Sequence, residues 1–579
     1  MIQPALMTRR GVVRATILAG ATAGLAAAAA AWRERPALEM RVRDRIEAEA
    51  ARRGLTVRIG VVTAGLSPPL LLTGVRVEKP GSWSLKADTV AVSLRLRGHG
   101  LLGRARLALG PTTLSGPGGL SLDLVPTVWD LDVDGPVADA RLRQPSAGLT
   151  LSHRSSGNGA AFVVTAEQAP LGTLLTLRRE GAPLLEAGVV DGRLSVERTD
   201  EASAVDVDAQ GQGVRLATLD GAGEDGAVAF GAPTDVRVRL EGSWHGREGA
   251  LDVPRWRLTA DGLSLSGSLS LADVPRDPRL TMAFDVERVD LARLLALSAH
   301  EAPAAVAASV ENGGDVEGLG SATLSARVAG RLADAGSFSV TQKLDFSPPR
   351  RIPPAIELLR GDFVHEVALP DGGRRTIDVS RASPDFIPVG DVPPLLVQTL
   401  LLGEDANFFG HPGIDLAELP SAVLTNWSRG GAARGASTIT QQLAKNLFLS
   451  RDKRLGRKLQ ELALALLLES TLGKERILEI YLNVIEWGPG LYGLRPAARQ
   501  YFGKEPAELA PAQMALLVAL IPGPVKYQRS IASGTPSPGF RPLVDHLLAK
   551  LRSVDAITEE QYEKALADDL HVALPRADE

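Results

Sequence analysis

At 579 residues the chain is too long for one ordinary core, so two or more domains are expected. Hydrophobic residues make up 45% and charged residues 23%, as in folded proteins generally. The net charge of -4 lacks the basic excess that usually marks a nucleic-acid partner. With no cysteine, disulfides and thiolate metal sites are excluded.

The N-terminus carries the first element. Arg9, Arg10 and Arg14 precede an apolar run from Ala15 to Trp32, which Arg33, Glu34 and Arg35 close. Its eighteen residues would span roughly 27 Å as a helix, enough for a hydrocarbon core. The preferred reading is an uncleaved anchor with its basic end inside and everything after Trp32 outside. The other is a signal peptide, because Thr8-Arg9-Arg10-Gly11-Val12-Val13 has a twin-arginine pattern and small residues occupy 27–31. Both put the body of the protein outside the cytoplasm.

Glu39 to Arg53 reads as a charged helix ending at Gly54, and from there to about 345 the pattern has period two. Val90, Val92, Leu94 and Leu96 alternate with polar or small residues, as do Leu263, Leu265, Leu269 and Leu271, then Met282, Phe284 and Val286. Alternation of this kind makes strands with one buried and one solvated face. Asp-Gly pairs at 134–135, 191–192, 220–221 and 261–262 suit tight hairpin turns. Asp290 to Leu297 reads as a short helix. Pro348, Pro349, Pro353 and Pro354 mark a linker, a hairpin follows around Asp371-Gly372-Gly373, and beyond Pro393-Pro394 the pattern is helical. The expected fold is multidomain α+β. Its segments are a membrane anchor or signal segment (1–36), a long antiparallel β region (37–347), a linker and hairpin (348–384) and a mainly α domain (385–579).

The β region resembles the AsmA-like envelope proteins. The likeness rests on an anchor, a short helix, then Leu70-Leu71-Leu72-Thr73-Gly74-Val75-Arg76-Val77 and Leu85-Lys86-Ala87-Asp88-Thr89-Val90-Ala91-Val92. It implies an apolar trough that contacts lipid; a plain spacer is the other reading.

Five motifs follow in the helical part. Glu404-Asp405-Ala406-Asn407-Phe408-Phe409-Gly410-His411-Pro412-Gly413 reads as a helix end turning into a loop. Gly435-Ala436-Ser437-Thr438-Ile439-Thr440-Gln441-Gln442-Leu443-Ala444-Lys445-Asn446 leads from a Gly-rich loop into Ser437 or Thr438 as a helix cap, whose free N–H groups suit a phosphate. In Arg457-Lys458-Leu459-Gln460-Glu461 the glutamate lies beside both cations on a helix, the pattern of an ordinary ion pair. Tyr481-Leu482-Asn483 with Glu486-Trp487-Gly488, and Tyr501-Phe502-Gly503-Lys504, complete the series. Singly, each has a structural explanation.

In this order and spacing they resemble the peptidoglycan glycosyltransferases of family 51, with the first three motifs complete. About 75 residues follow Phe502, too few for a transpeptidase domain, so the likeness is to the monofunctional enzymes. Leu494-Arg495-Pro496 stands where the family usually carries an acidic residue. The resemblance implies a lysozyme-like helical domain that joins glycan from an undecaprenyl pyrophosphate to the 4-hydroxyl of lipid II, with inversion, releasing undecaprenyl diphosphate. Glu404 matches the general base. Glu461 matches a second carboxylate near the leaving pyrophosphate, with a divalent cation (Mg or Mn) as one way of joining them. Arg457, Lys458 and Lys445 would offset the developing charge. Asp405, His411, Ser437, Thr438, Gln441, Gln442, Asn446 and Asn483 would bind substrate. The implied partners are lipid II, the growing glycan, the membrane and cell-wall transpeptidases. The implied location is the inner (cytoplasmic) membrane, single-pass, facing the periplasm. A lysozyme-like glycan-cleaving enzyme and an AsmA-like lipid-binding protein with an inactive transferase domain are the alternatives.

Overall fold

The computed structural model describes residues 35–573 apart from 53, 65–69, 81–82, 98–100, 116–119, 135–138, 145–147, 157–158, 171–174, 180–181, 184, 200, 217–233, 247, 261–262, 275, 297–315, 370–371, 418–436 and 450–454. The apolar run Ala15–Trp32 lies outside them. No helix among the described residues is long and apolar enough to cross a membrane.

Helix α1 (Arg35–Ala51) is followed by Gly54 at φ +69°, the left-handed conformation that ends a helix. Among the described residues, twenty-one strands, β1 (Thr56–Arg58) to β21 (Asp334–Ser347), then form one antiparallel sheet. From β14 (Leu185–Arg198) onward each strand pairs with the next in a plain meander. The period-two pattern becomes a continuous row. Leu151, Val164, Leu194, Val207, Leu240, Trp256, Gly267, Phe284, Ala326 and Gln342 are successive partners across ten strands. The opposite face carries pairs such as Asp206 with Glu241 and Asp285 with Ser325. Along these described strands one face is apolar and the other polar.

Two buried cores bracket the sheet, one around Val42–Trp129 and one running from Val289 to the C-terminal region. Leu194, Val207, Leu240 and Trp256 are half-buried and belong to neither. Of the Asp-Gly pairs, 191–192 departs from expectation. Both residues sit mid-strand in β14, Gly192 paired on each side and Asp191 paired with Gln210 opposite a bulge in β11, and a Cβ on Gly192 would come within 2.7 Å of the Ala209 Cα. The glycine permits close strand approach there and makes no turn. The connection at 261–262 joins paired Ala260 and Leu263, while 220–221 lies outside the described residues.

Helix α2 (Leu291–Ala296) interrupts the sheet before its last two strands. After β21 come a short helix α3 (Pro354–Glu357) and the hairpin of β22 (Phe363–Ala368) with β23 (Arg374–Val379). The helical part contains α4 (Pro394–Glu404), α5 (Ile439–Phe448), α6 (Leu455–Thr471), α7 (Lys474–Val484), α8 (Leu494–Phe502), α9 (Pro511–Leu520), α10 (Pro524–Gln528), α11 (Arg541–Ser553) and α12 (Glu559–Leu566). Helix α9 is apolar nearly all round, with Met514 to Leu520 all buried, and packs against α4 and α11 as the centre of this half. Helix α5 lies against α6 and α7, so three motif-bearing helices meet. The core also continues into the sheet: Val289, Leu291, Ala292, Leu294, Leu295, Leu319 and Ala322 share one buried cluster with the helical half.

Candidate active site

Helix α4 ends at Glu404, and Asp405 caps the end in an extended conformation. The Asp405 carboxylate accepts from His411 Nε2 at 2.9 Å and from the Ile439 backbone N–H at 2.9 Å. His411 is buried, and its Nδ1 accepts from the Gly413 N–H at 3.0 Å, which leaves the ring proton on Nε2. Thr438, not Ser437, is the N-cap of α5: its hydroxyl accepts from the Gln441 N–H at 3.2 Å and donates to the Gly413 carbonyl at 2.7 Å. The N–H groups expected to stay open for a phosphate are therefore engaged at Ile439 and Gln441. The anion at this helix start is Asp405, favoured by the same dipole that would favour a phosphate.

Gln442, one position on, donates Nε2 to the Glu404 carboxylate at 2.7 Å. Its amide is oriented by the Tyr481 hydroxyl of α7, which donates to Gln442 Oε1 at 2.9 Å. Burial pushes the Tyr481 phenol well above its usual range, with the Glu404 and Asp405 charges adding to the effect, so it stays a donor. Burial likewise raises the Glu404 carboxyl, although the Gln442 bond and the Lys445 charge pull the other way.

The other carboxylate belongs to Glu461, which is only 4% exposed. Lys458 Nζ donates to Glu461 Oε2 at 2.9 Å, to Ser437 Oγ at 2.8 Å and to Gln441 Oε1 at 2.9 Å, so all three of its protons are directed. Arg457 Nε lies 3.4 Å from Glu461 Oε1. Lys458 is the more accessible partner, at 39% side-chain exposure against 5% for Glu461. Glu404 and Glu461 are thus tied to adjacent residues of one helix, Gln442 and Gln441.

The remaining expected residues differ in placement. Lys445 is half-buried near Glu404, while Asn446 is exposed and its backbone carbonyl faces His365 of the β22 strand. Asn483 is not brought to the cluster: its Oδ1 accepts from Ile387 N–H at 2.9 Å and its Nδ2 donates to the Ile387 and Glu479 carbonyls at 2.8 Å. The last two motifs meet each other. The Tyr501 hydroxyl lies 3.0 Å from the Trp487 carbonyl, and a Cβ on Gly488 would come within 2.1 Å of that hydroxyl. Arg495, where the resemblance implies an acid, bonds the Phe386 carbonyl and pairs with Glu505 at 3.0 Å.

Sequence reading passed over three groups here. They are the Tyr481 hydroxyl, the Gly413 carbonyl and Gln460, whose side chain reaches Leu295. All three stood inside quoted motifs, but nothing local marked the roles of the Tyr481 hydroxyl, the Gly413 carbonyl or the Gln460 amide. Among the described residues no group of three or more His, Asp or Glu could hold a metal. Glu461 offers a lone carboxylate already paired with two cations, a poor fit for a protein-held divalent ion.

One helix thus reaches a buried carboxylate, Glu404, through Gln442 and a lysine–glutamate pair through Gln441. Residues 374–536 match the family model described as Transglycosylase. The chain is 46% identical over 143 residues to the biosynthetic peptidoglycan transglycosylase of Thiobacillus denitrificans, covering 25% of this chain and 62% of that protein. The Nitrobacter winogradskyi protein of the same name is 40% identical over 182 residues, covering 31% of this chain and 78% of that one. Penicillin-binding protein 1A of Aquifex aeolicus is 38% identical over 192 residues, 32% of this chain and 25% of its own length. The chain belongs to the biosynthetic peptidoglycan transglycosylase family, and spans about 62% of the first relatives it matches.

Proposed function

We propose that the chain polymerises lipid II into glycan strands and releases undecaprenyl diphosphate. The observation that carries this is the paired arrangement on α5: Gln442 holds Glu404, while Gln441 and Ser437 hold Lys458 above Glu461. Glu404, ionised, takes the proton of the acceptor 4-hydroxyl as that oxygen attacks the donor's anomeric carbon. The bond to the diphosphate oxygen breaks, and Lys458 with Arg457 receives the negative charge that develops there. Lys458 reaches it by exchanging Ser437 or Gln441 for a phosphate oxygen, since its three donors are already committed in the free protein.

Because Glu461 lies beneath Lys458, its role in this scheme is to hold the two cations in place. It acts through them rather than on substrate. A single paired carboxylate leaves the leaving-group charge to the cations. Lys445, beside Glu404, and Asn446 complete the acceptor side, and Asp405, His411 and Thr438 hold the loop against the start of α5. The substrate is lipid-borne, so the run Ala15–Trp32 serves as the inner-membrane anchor, with the body in the periplasm.

Glu404→Gln tests the proposal directly: the chain should keep its fold and make no glycan from lipid II in a gel assay, and turnover at the wild-type rate rejects the assignment. Incubation with finished glycan separates a lysozyme-like hydrolase, which would shorten it. A second reading, for the β region, rests on the row from Leu151 to Ala326, free of polar side chains across nine strands: this face holds a lipid chain, and the region is more than a spacer.

A further inference from the structure

Two glutamine side chains join the large sheet to the helical half, and both land beside the site. Gln460 is 1% exposed and stands on α6 between Lys458 and Glu461. Its Nε2 donates to the Leu295 carbonyl of α2 at 2.8 Å, across 165 residues of sequence. Carbonyls in the last turn of a helix lack intrahelical partners, so this bond satisfies one of them. Helix α2 is itself fixed, with Leu291, Ala292, Leu294 and Leu295 buried in the same cluster as Ala463, Leu464 and Leu467 of α6. An apolar side chain at 460 would serve burial alone as well. A buried amide is warranted by a directed bond.

The second contact is on the segment that follows His411. Gln342 of β21 donates Nε2 to the Ile414 carbonyl at 3.2 Å and accepts from the Leu416 N–H at 3.0 Å, a two-point bond to main chain. Gly413, immediately before, supplies the carbonyl that Thr438 Oγ1 and Gln441 Nε2 use, at 2.7 and 3.2 Å. Gln441 in turn holds Lys458. The chain of contacts therefore reaches Lys458 from both sides: Gln460 fixes the helix that carries it, and Gln342 fixes the segment that orients one of its acceptors.

We infer that the β region is a working part of the transferase site, clamping α6 and the Gly413–Leu416 segment so that Lys458 stays aimed, with Gln460 and Gln342 as positioning residues. The activity readout rests on the polymerase reading above; the clamp has a readout of its own. Misplacing a group by about an ångström costs up to about a hundredfold in rate.

The test uses full-length Gln460→Leu, Gln342→Leu and the double variant, each assayed on lipid II and by backbone hydrogen exchange. The expected result is kcat lower by about tenfold to a hundredfold with KM changed less than about twofold, since substrate contacts are untouched. Exchange should quicken in Leu455–Thr471 when Gln460 is replaced and in 413–416 when Gln342 is replaced, and stay unchanged in Arg541–Ser553. The double variant should lose less than the sum of the two, because both act on one cation. Wild-type kcat in folded single variants overturns the inference, as does unaltered exchange in α6. Should Gln460→Leu fail to fold, Gln342→Leu alone carries the decision. A wild-type chain inert on lipid II would sink the functional reading, and exchange would still decide the clamp.

Discussion

At the scale of single residues, Glu404 is a compromise between stability and chemistry. Burial raises its carboxyl, so the protonated form is favoured more in the folded than in the unfolded chain. A raised folded pKa contributes stability that is fully present below the unfolded value of about 4.3 and lost as pH rises through the folded one. Glu404→Gln should therefore melt a few degrees above wild type at neutral pH, with the difference closing near pH 4, while polymerisation is abolished; scanning calorimetry at both pH values checks it. Tyr481→Phe addresses the same group from behind. Without the phenol, the Gln442 amide is free to turn, and Glu404 loses the donor that lowers it. Turnover should fall by on the order of tenfold, less than the roughly hundredfold minimum for losing an acid–base group itself, because Tyr481 acts only through Gln442, and the acid limb of the pH–rate profile should move to higher pH. An unmoved limb would show that Tyr481 only packs.

At the scale of elements, α5 and α6 carry the site, and their sequences differed in how much they disclosed. Glu404, Lys458 and Glu461 were legible because the motif spacing is carried within single helices or helix ends. The Asp405 bond to Ile439 was not, since it crosses 34 residues and nothing local distinguishes a capping acid from a substrate-binding one. Burial of Glu461 under Lys458 was hidden for the same reason: an i,i+3 pair looks identical on a solvated helix. Lys458→Ala leaves Glu461 with only Arg457 and removes the charge meant for the diphosphate. Turnover should drop by about a hundredfold to a thousandfold, as when a transition-state donor is removed, measured with the same substrate. Gly413→Ala probes the loop between the two helices. Its φ is +87°, and an added Cβ would stand 2.9 Å from Glu469 Cγ. The cost should be about 1–2 kcal/mol for the left-handed backbone alone, read from denaturant midpoints, and should weaken the Thr438 and Gln441 bonds together.

At the scale of the whole molecule, alternation announced the strands but not what lies on them. A period-two pattern says that one face avoids water; it is silent on whether a second layer, a helix or a ligand covers it. The same limit made Asp191-Gly192 look like a turn, because only the partner strand reveals why a small residue is needed. Leu194, Val207, Leu240, Trp256 and Phe284 form a row that is half-buried and joined to neither core. Across its nine apolar strands at 4.7–4.9 Å the row runs on the order of 40 Å, well beyond the roughly 15 Å that one acyl chain spans in a bilayer leaflet and suited to a longer prenyl chain. At its far end β21 meets the helical half, where Phe346 and Phe409 line a cavity of about 400 Å³ beside His411. If lipid occupies this face, a charge in the middle of the row should expel it without touching the transferase site. Phe284→Arg in the full-length protein should thus retain polymerase turnover in detergent and lose binding to a fluorescent prenyl phosphate, while Asp285→Arg on the opposite face should bind like wild type. Equal binding by both variants would mean that the apolar row is a structural face and the region serves the site by the clamp alone.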